Sequence, residues 1–163
     1  MRNDKGNLLK VLVMFVMGTL VLVWGVNARA QKARATVSTA AVETQQPLYT
    51  DYKGVRLGMT DQDARAKLGT PAMTNGELDY FVFSDTETAQ VTYDASRRVR
   101  AISVDYVNGV GAPDYKAVVG GDLEMKNGAL YKMARYDREG FWVSYYRNAG
   151  PVIIVTITIQ KIL

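Results

Sequence analysis

Gly54-Val55-Arg56-Leu57-Gly58-Met59-Thr60, then Asp61 to Lys67, then Leu68-Gly69-Thr70-Pro71, form one continuous instruction to the backbone. Thr60 has the side chain of a helix N-cap, because its hydroxyl can accept a hydrogen bond from a backbone N–H that the first turn leaves unpaired. Asp61 and Asp63 follow in that turn, where the helix dipole favours negative charge. Asp63 stands three residues after Thr60, a capping box with Asp in place of the usual Glu. Ala64, Ala66 and Leu68 give a small apolar stripe. Gly69 can take the left-handed conformation that closes a helix, and Pro71 forbids continuation. The stretch predicts a short helix of about two turns.

Three strand patterns come next. Leu78 to Ser84 contains Tyr80-Phe81-Val82-Phe83, and Ala89 to Tyr93 and Val99 to Val107 both alternate. Asp94-Ala95-Ser96-Arg97 fits a tight connection between the last two. Ile102, Val104 and Tyr106 define one face of the third strand, and Ala101, Ser103 and Asp105 the other.

The unit then echoes. Ala112-Pro113-Asp114 opens a second short helix through Val119, ended by Gly120-Gly121. Val118-Val119-Gly120 matches Lys67-Leu68-Gly69 at an offset of 51 residues, and Asn127-Gly128 matches Asn75-Gly76 at 52. Val143 to Tyr146 matches Val91 to Asp94 at 52, and Val152 to Ile159 matches Val99 to Tyr106 at 53. A steady offset at separated places marks an internal repeat. The expectation is an α+β domain. In it, two helix-β-β-β repeats, about 52–107 and 111–160, form an antiparallel sheet of about six strands with short helices on one face.

The upstream segment has a different composition. Arg2, Lys5 and Lys10 are a basic start, Val11 to Val26 is an apolar core of 16 residues, and Asn27-Ala28-Arg29-Ala30 offers small residues at signal-peptidase positions. Residues 1–30 therefore read as a cleaved signal peptide or as an uncleaved membrane anchor through residues 8–26, since a span needs roughly 20 apolar residues. Residues 31–46, rich in Ala, Thr, Val, Ser and Gln, read as a flexible tether, and 47–163 as the folded domain. Both readings predict a periplasmic or otherwise extracytoplasmic location, secreted or anchored by the N-terminal helix.

The residue inventory narrows function. Arg2, Lys5, Lys10 and Arg29 against Asp4 carry +3 of the formal +4, so the domain is nearly neutral and no nucleic-acid partner is implied. Arg97-Arg98 with Arg100 reads as a charged hairpin tip. No cysteine means no disulfide, thiol nucleophile or lipid attachment site. No histidine removes the imidazole base and the ordinary zinc site. An enzyme would have to work with Asp, Glu, Ser, Lys or Tyr alone, and none stands in a suggestive context. Asp79 with Asp85, or Asp137 with Glu139, could suggest paired acids or a metal site, but Asp137 to Gly140 reads more simply as a hairpin turn and Asp85 to Glu87 as a loop. The expectation is a protein that is not an enzyme and takes no cofactor or metal. Asn75-Gly76 and Asn127-Gly128 are turn formers. Met125 and Met133 read as core or linker fillers.

Gly58-Met59-Thr60, the short Asp-rich helix and Leu68-Gly69-Thr70-Pro71 resemble the SmpA/OmlA (BamE) domain, found in small envelope lipoproteins of the outer-membrane assembly machinery. The resemblance covers about Tyr52 to Val107. The doubled arrangement is similar to the β-lactamase-inhibitor-protein fold. The lipid-bearing cysteine of the assembly lipoproteins is missing here, and the second repeat keeps only Gly120, so the module alone is carried over. The resemblance implies a non-enzymatic cell-envelope protein-binding module that assists assembly or stability of an envelope complex or inhibits a partner. The alternative is a single-span accessory subunit of a membrane protein complex. The partner in either case is an envelope or membrane protein. The contact surface implied is the sheet face away from the helices. Alternation sends Phe141, Val143 and Tyr145 one way and Trp142, Ser144 and Tyr146 the other. Ile153, Val155, Ile157 and Ile159 read as core. Trp142, Tyr146, Tyr131 and Arg135 are the candidate binding residues, a composition enriched in hot spots. The other reading of these aromatics is that they cover the sheet edge or pack against the tether.

Overall fold

The computed structural model describes residues 46–162, so the signal or anchor reading of 1–30 and all but the last residue of the tether lie outside the described residues. The first elements are a small hairpin, β1 (Asp51–Tyr52) and β2 (Val55–Arg56), and the helix α1 (Asp61–Leu68). Strands β3 (Met73–Thr74), β4 (Leu78–Val82), β5 (Glu87–Tyr93) and β6 (Val99–Val107) follow. The chain then repeats the plan with α2 (Tyr115–Val119), β7 (Glu124–Lys126), β8 (Ala129–Tyr136), β9 (Phe141–Arg147) and β10 (Ile154–Lys161).

This corrects the expected fold class. The described chain is mostly β, 47% strand against 11% helix, with one eight-stranded antiparallel sheet and the separate β1–β2 pair instead of an α+β domain on six strands. Each unit is a helix followed by four strands, not three. The additional strands are β3 and β7, whose residues are all exposed, so no alternation of apolar and polar marks them. They form because the turns after them, around Asn75-Gly76 and Asn127-Gly128, fold each back on its neighbour. Asn127 (φ 52°) and Gly128 (φ 80°) are the two positive-φ residues of a two-residue hairpin turn. β10 starts later than Val152, because the Asn148 side chain bonds the Val152 carbonyl and accepts from the Ile154 N–H, keeping Val152 and Ile153 in the turn.

The helix ends obey local chemistry. Thr60 Oγ1 accepts from the Asp63 N–H at 3.1 Å and donates to Asp63 Oδ2 at 2.7 Å. Gly69 takes φ 91° with ψ −161°, an extended glycine conformation in place of the expected left-handed one, which Gly120 adopts (φ 69°, ψ 14°).

Strand order is β3-β4-β5-β6-β10-β9-β8-β7, a palindrome in which the last strand of each unit pairs at the centre. Val104 faces Ile157, 53 residues on, the offset at which the last strands match in sequence; a local twofold axis passes through this pair. The echo is one of strands and not of every residue. Ile102 pairs with Val91, whereas its counterpart Val155 pairs with Arg147 and not Val143, a slip of four residues.

Ala89, Val91, Ile102, Val104, Tyr106, Val143, Val155, Ile157 and Ile159 line one sheet face and are buried. Burial of each large aliphatic side chain contributes about 1.5–3 kcal/mol. The remaining elements sit over this face. α1 reaches Asp79 through Arg65, α2 lays Tyr115 against Tyr145, and the β1–β2 hairpin joins Tyr52 to Glu87. The opposite face carries no helix or hairpin of the described residues.

Candidate functional site

The open face is built by register. In β8 and β9, Tyr131 stands directly opposite Tyr146 and Arg135 directly opposite Trp142. Between these two couples Met133 faces Ser144, which faces Thr158 of β10. Directly opposed residues of an antiparallel pair have Cβ atoms about 4.5–5.5 Å apart, so all four residues expected from sequence belong to one strip. Tyr146 is 39% exposed and Met133 44% exposed, Trp142 and Tyr131 are half-buried, and Ser144 is buried beneath them.

Two residues of the strip escaped sequence reading. Met133, read as a filler, is an exposed apolar side chain at its centre, and Lys126 was not singled out. Met125, read in the same way as Met133, is more exposed still but pairs with Leu130 and so lies on the other face of β7. Lys126 is placed by the Asn127-Gly128 turn opposite Ala129, at the end of the strip. A shallow depression of about 350 Å³ opens there, lined by Lys126, Asn127, Ala129, Tyr131, Tyr146 and Ala149. Period-2 alternation along β8 put Met133 beside Tyr131 and Arg135; that signal was present and unused.

Toward the sheet centre the same face turns polar but stays poor in charge. Ser103 Oγ and Thr158 Oγ1 lie 3.1 Å apart, and Thr156 Oγ1 donates to Asp105 Oδ1 at 2.6 Å. These side chains bond one another across the β6–β10 seam beside the aromatic strip.

The other singled-out residues are occupied elsewhere. Asp79, without exposed surface, accepts from Arg65 Nε at 2.7 Å, Arg65 Nη2 at 2.9 Å and Tyr93 Oη at 2.8 Å. Burial alone would raise its carboxyl; the hydrogen bonds from Arg65, Thr74 and Tyr93 outweigh that and hold it below the usual carboxylate range. Burial and the bond to Asp79 push the Tyr93 hydroxyl up. Asp79 thus anchors α1 to the sheet, and Asp85 lies exposed in the turn before β5. Asp137 and Glu139 lie exposed in the β8–β9 turn. Arg97 binds Asp61 and the Gly76 carbonyl, and Arg98 Nη1 donates to the Gly58 carbonyl at 2.9 Å, so the basic hairpin tip staples the start of α1. Among the described residues, no three His, Cys, Asp or Glu side chains gather as a metal would need, and no helix is long and apolar enough to cross a membrane. A wider depression of about 650 Å³ flanks α1 beside Gly69 and Pro71, but its one cation, Arg65, is bound to Asp79.

Comparison of the chain with family models, curated proteins and solved structures returns no match.

Proposed function

We propose that this chain is a non-enzymatic protein-binding module of the cell envelope, whose contact surface is the open sheet face in the half formed by β8 and β9. One observation carries the reading: Tyr131·Tyr146 and Arg135·Trp142 are direct cross-strand couples on a face that no described helix covers, with Met133 exposed between them. Tyr, Trp, Met and Arg are the residues enriched at the centres of protein interfaces, where Lys, Glu and Asp are depleted. The sheet edges support the face over the rim. β3 has two residues and β7 three, and β7 carries Glu124 and Lys126, which blunts both edges against strand addition.

The envelope setting rests on the basic, apolar and small-residue sequence of 1–30 and on the resemblance of Gly58 to Pro71 to the SmpA/OmlA module. The test is a photo-crosslinking amino acid at position 133 of the full chain in intact cells, with and without Trp142→Ala. A discrete crosslinked partner that Trp142→Ala removes is the expected result. Crosslinking that is absent, or indifferent to Trp142, overturns the reading.

A further inference from the structure

The strip has a cation at each end, Lys126 and Arg135, each with an acid beside it: Glu124 two residues before Lys126 on the same face of β7, and Asp137 paired with Arg135. Along β8 it runs from Ala129, opposite Lys126, through Tyr131 and Met133 to Arg135. That is six residue steps, a length of about 20 Å at the strand rise of about 3.4 Å. Lys126 is exposed and lines the depression with Tyr131 and Tyr146. Arg135 is bound through Nε to Asp137 at 2.6 Å, with both side chains more than half exposed, 54% and 73%. An ion pair so exposed is worth little and exchanges readily for a carboxylate delivered by a partner. The floor between the two cations is Tyr131, Tyr146, Met133 and Trp142. Of the face's acids, Asp105 is engaged by Thr156, and Glu124 stands at the outer edge opposite Tyr131.

We infer that the strip takes an extended segment of a partner protein, about six residues long, apolar or aromatic at its centre and carrying a carboxylate at each end. This rests on the reading of the open face as a protein-binding surface and specifies its ligand. The Arg135 guanidinium offers planar donors to one carboxylate, and the Lys126 ammonium a point charge to the other. The apolar centre of the segment would cover Met133 and the rings of Tyr146 and Trp142, excluding water from both ion pairs and strengthening them. In the seam beside the strip Ser103 and Thr158 are uncharged, and the one carboxylate, Asp105, is already bound by Thr156.

The test uses the full chain in mild detergent and fluorescein-labelled peptides of six residues. One set has glutamate at both ends with leucine and phenylalanine between, and the other has lysine at both ends around the same centre. The expected result is binding of the glutamate-ended set, weakened at least about 10-fold by Lys126→Glu with Arg135→Glu and by raised salt. The charge-reversed variant should in turn bind the lysine-ended set better than the wild type does. Both positions are exposed, and circular dichroism with urea unfolding checks that the variant is folded. Equal binding of both sets overturns the inference. So does failure to bind either set while the crosslink from position 133 persists and depends on Trp142; in that case the open face remains a protein-binding surface for a segment of other chemistry. Loss of that crosslink as well removes both readings.

Discussion

The two halves of the sheet share a plan and differ in what holds them. The first unit ties α1 to β4 and β5 by a buried network, Arg65–Asp79–Tyr93, and pins the start of the helix with Arg97 and Arg98. The second unit has no buried ion pair among the described residues. Its α2 is one turn long and docks through Val118, Val119 and the edge-on contact of Tyr115 with Tyr145 at 6.1 Å. On the open side the difference reverses. The first unit offers Leu78, Tyr80 and Val82 on β4, while the second offers Tyr131, Met133, Arg135, Trp142 and Tyr146 on two adjacent strands. Specific polar contacts are spent on fixing the first unit's geometry, and the second, held by apolar packing, presents the amphipathic side chains outward. Under the proposed function, the two units divide into a half that secures the fold and a half that carries the contact surface.

The hardest blow to this comparison would come from Arg65→Ala. It leaves the Asp79 carboxylate buried without its guanidinium, and is expected to cost about 3–5 kcal/mol in urea unfolding. A loss below about 1 kcal/mol would mean that the first unit does not depend on the network. Trp142→Ala should act on the other half and on binding instead, lowering partner or peptide affinity by about 2 kcal/mol, roughly 30-fold, with the urea midpoint little changed. Marked unfolding would return Trp142 to a structural role.

Acid sharpens the contrast. The Asp79 carboxyl lies below its unfolded value, so its stabilisation is present above about pH 4 and is lost as pH falls through the lowered folded value. Wild type and Asp79→Asn should therefore converge in stability in strong acid and diverge toward neutrality; parallel curves would refute the pairing. Thr60→Ala removes the cap of α1 and should cost about 1 kcal/mol, measured by thermal unfolding. The smallest effect belongs to Tyr136→Phe in the second unit. The Tyr136 hydroxyl is buried without a partner, so its removal is expected to be neutral or slightly stabilising, and a clear loss would reveal a polar contact there.

Legibility followed the range of the interactions. The start of α1 at Thr60, the face carrying Trp142 and Tyr146, and the turns at Asn75-Gly76 and Asn127-Gly128 were all readable, because each depends on residues a few positions apart. β3 and β7 were not readable. Met73, Thr74, Glu124, Met125 and Lys126 have no buried face, and they are strands only because a neighbour supplies hydrogen bonds. Their omission is why the domain was expected to have six strands in its sheet instead of eight. The role of Asp79 could not be read for the same reason: its sequence neighbours give no hint of Arg65, 14 positions away.

By itself the sequence determined the N-cap of α1, turn positions, alternation and the doubling of the unit, since these arise from backbone geometry and nearest neighbours. Only the tertiary structure decided that β6 and β10 meet at Val104 and Ile157, and that β3 and β7 close the sheet. It also decided that Lys126 and Arg135 bracket the aromatic strip. Those outcomes join residues far apart in the chain, and the pairing that joins them is selected by burying one complete sheet face at once, which no local segment encodes.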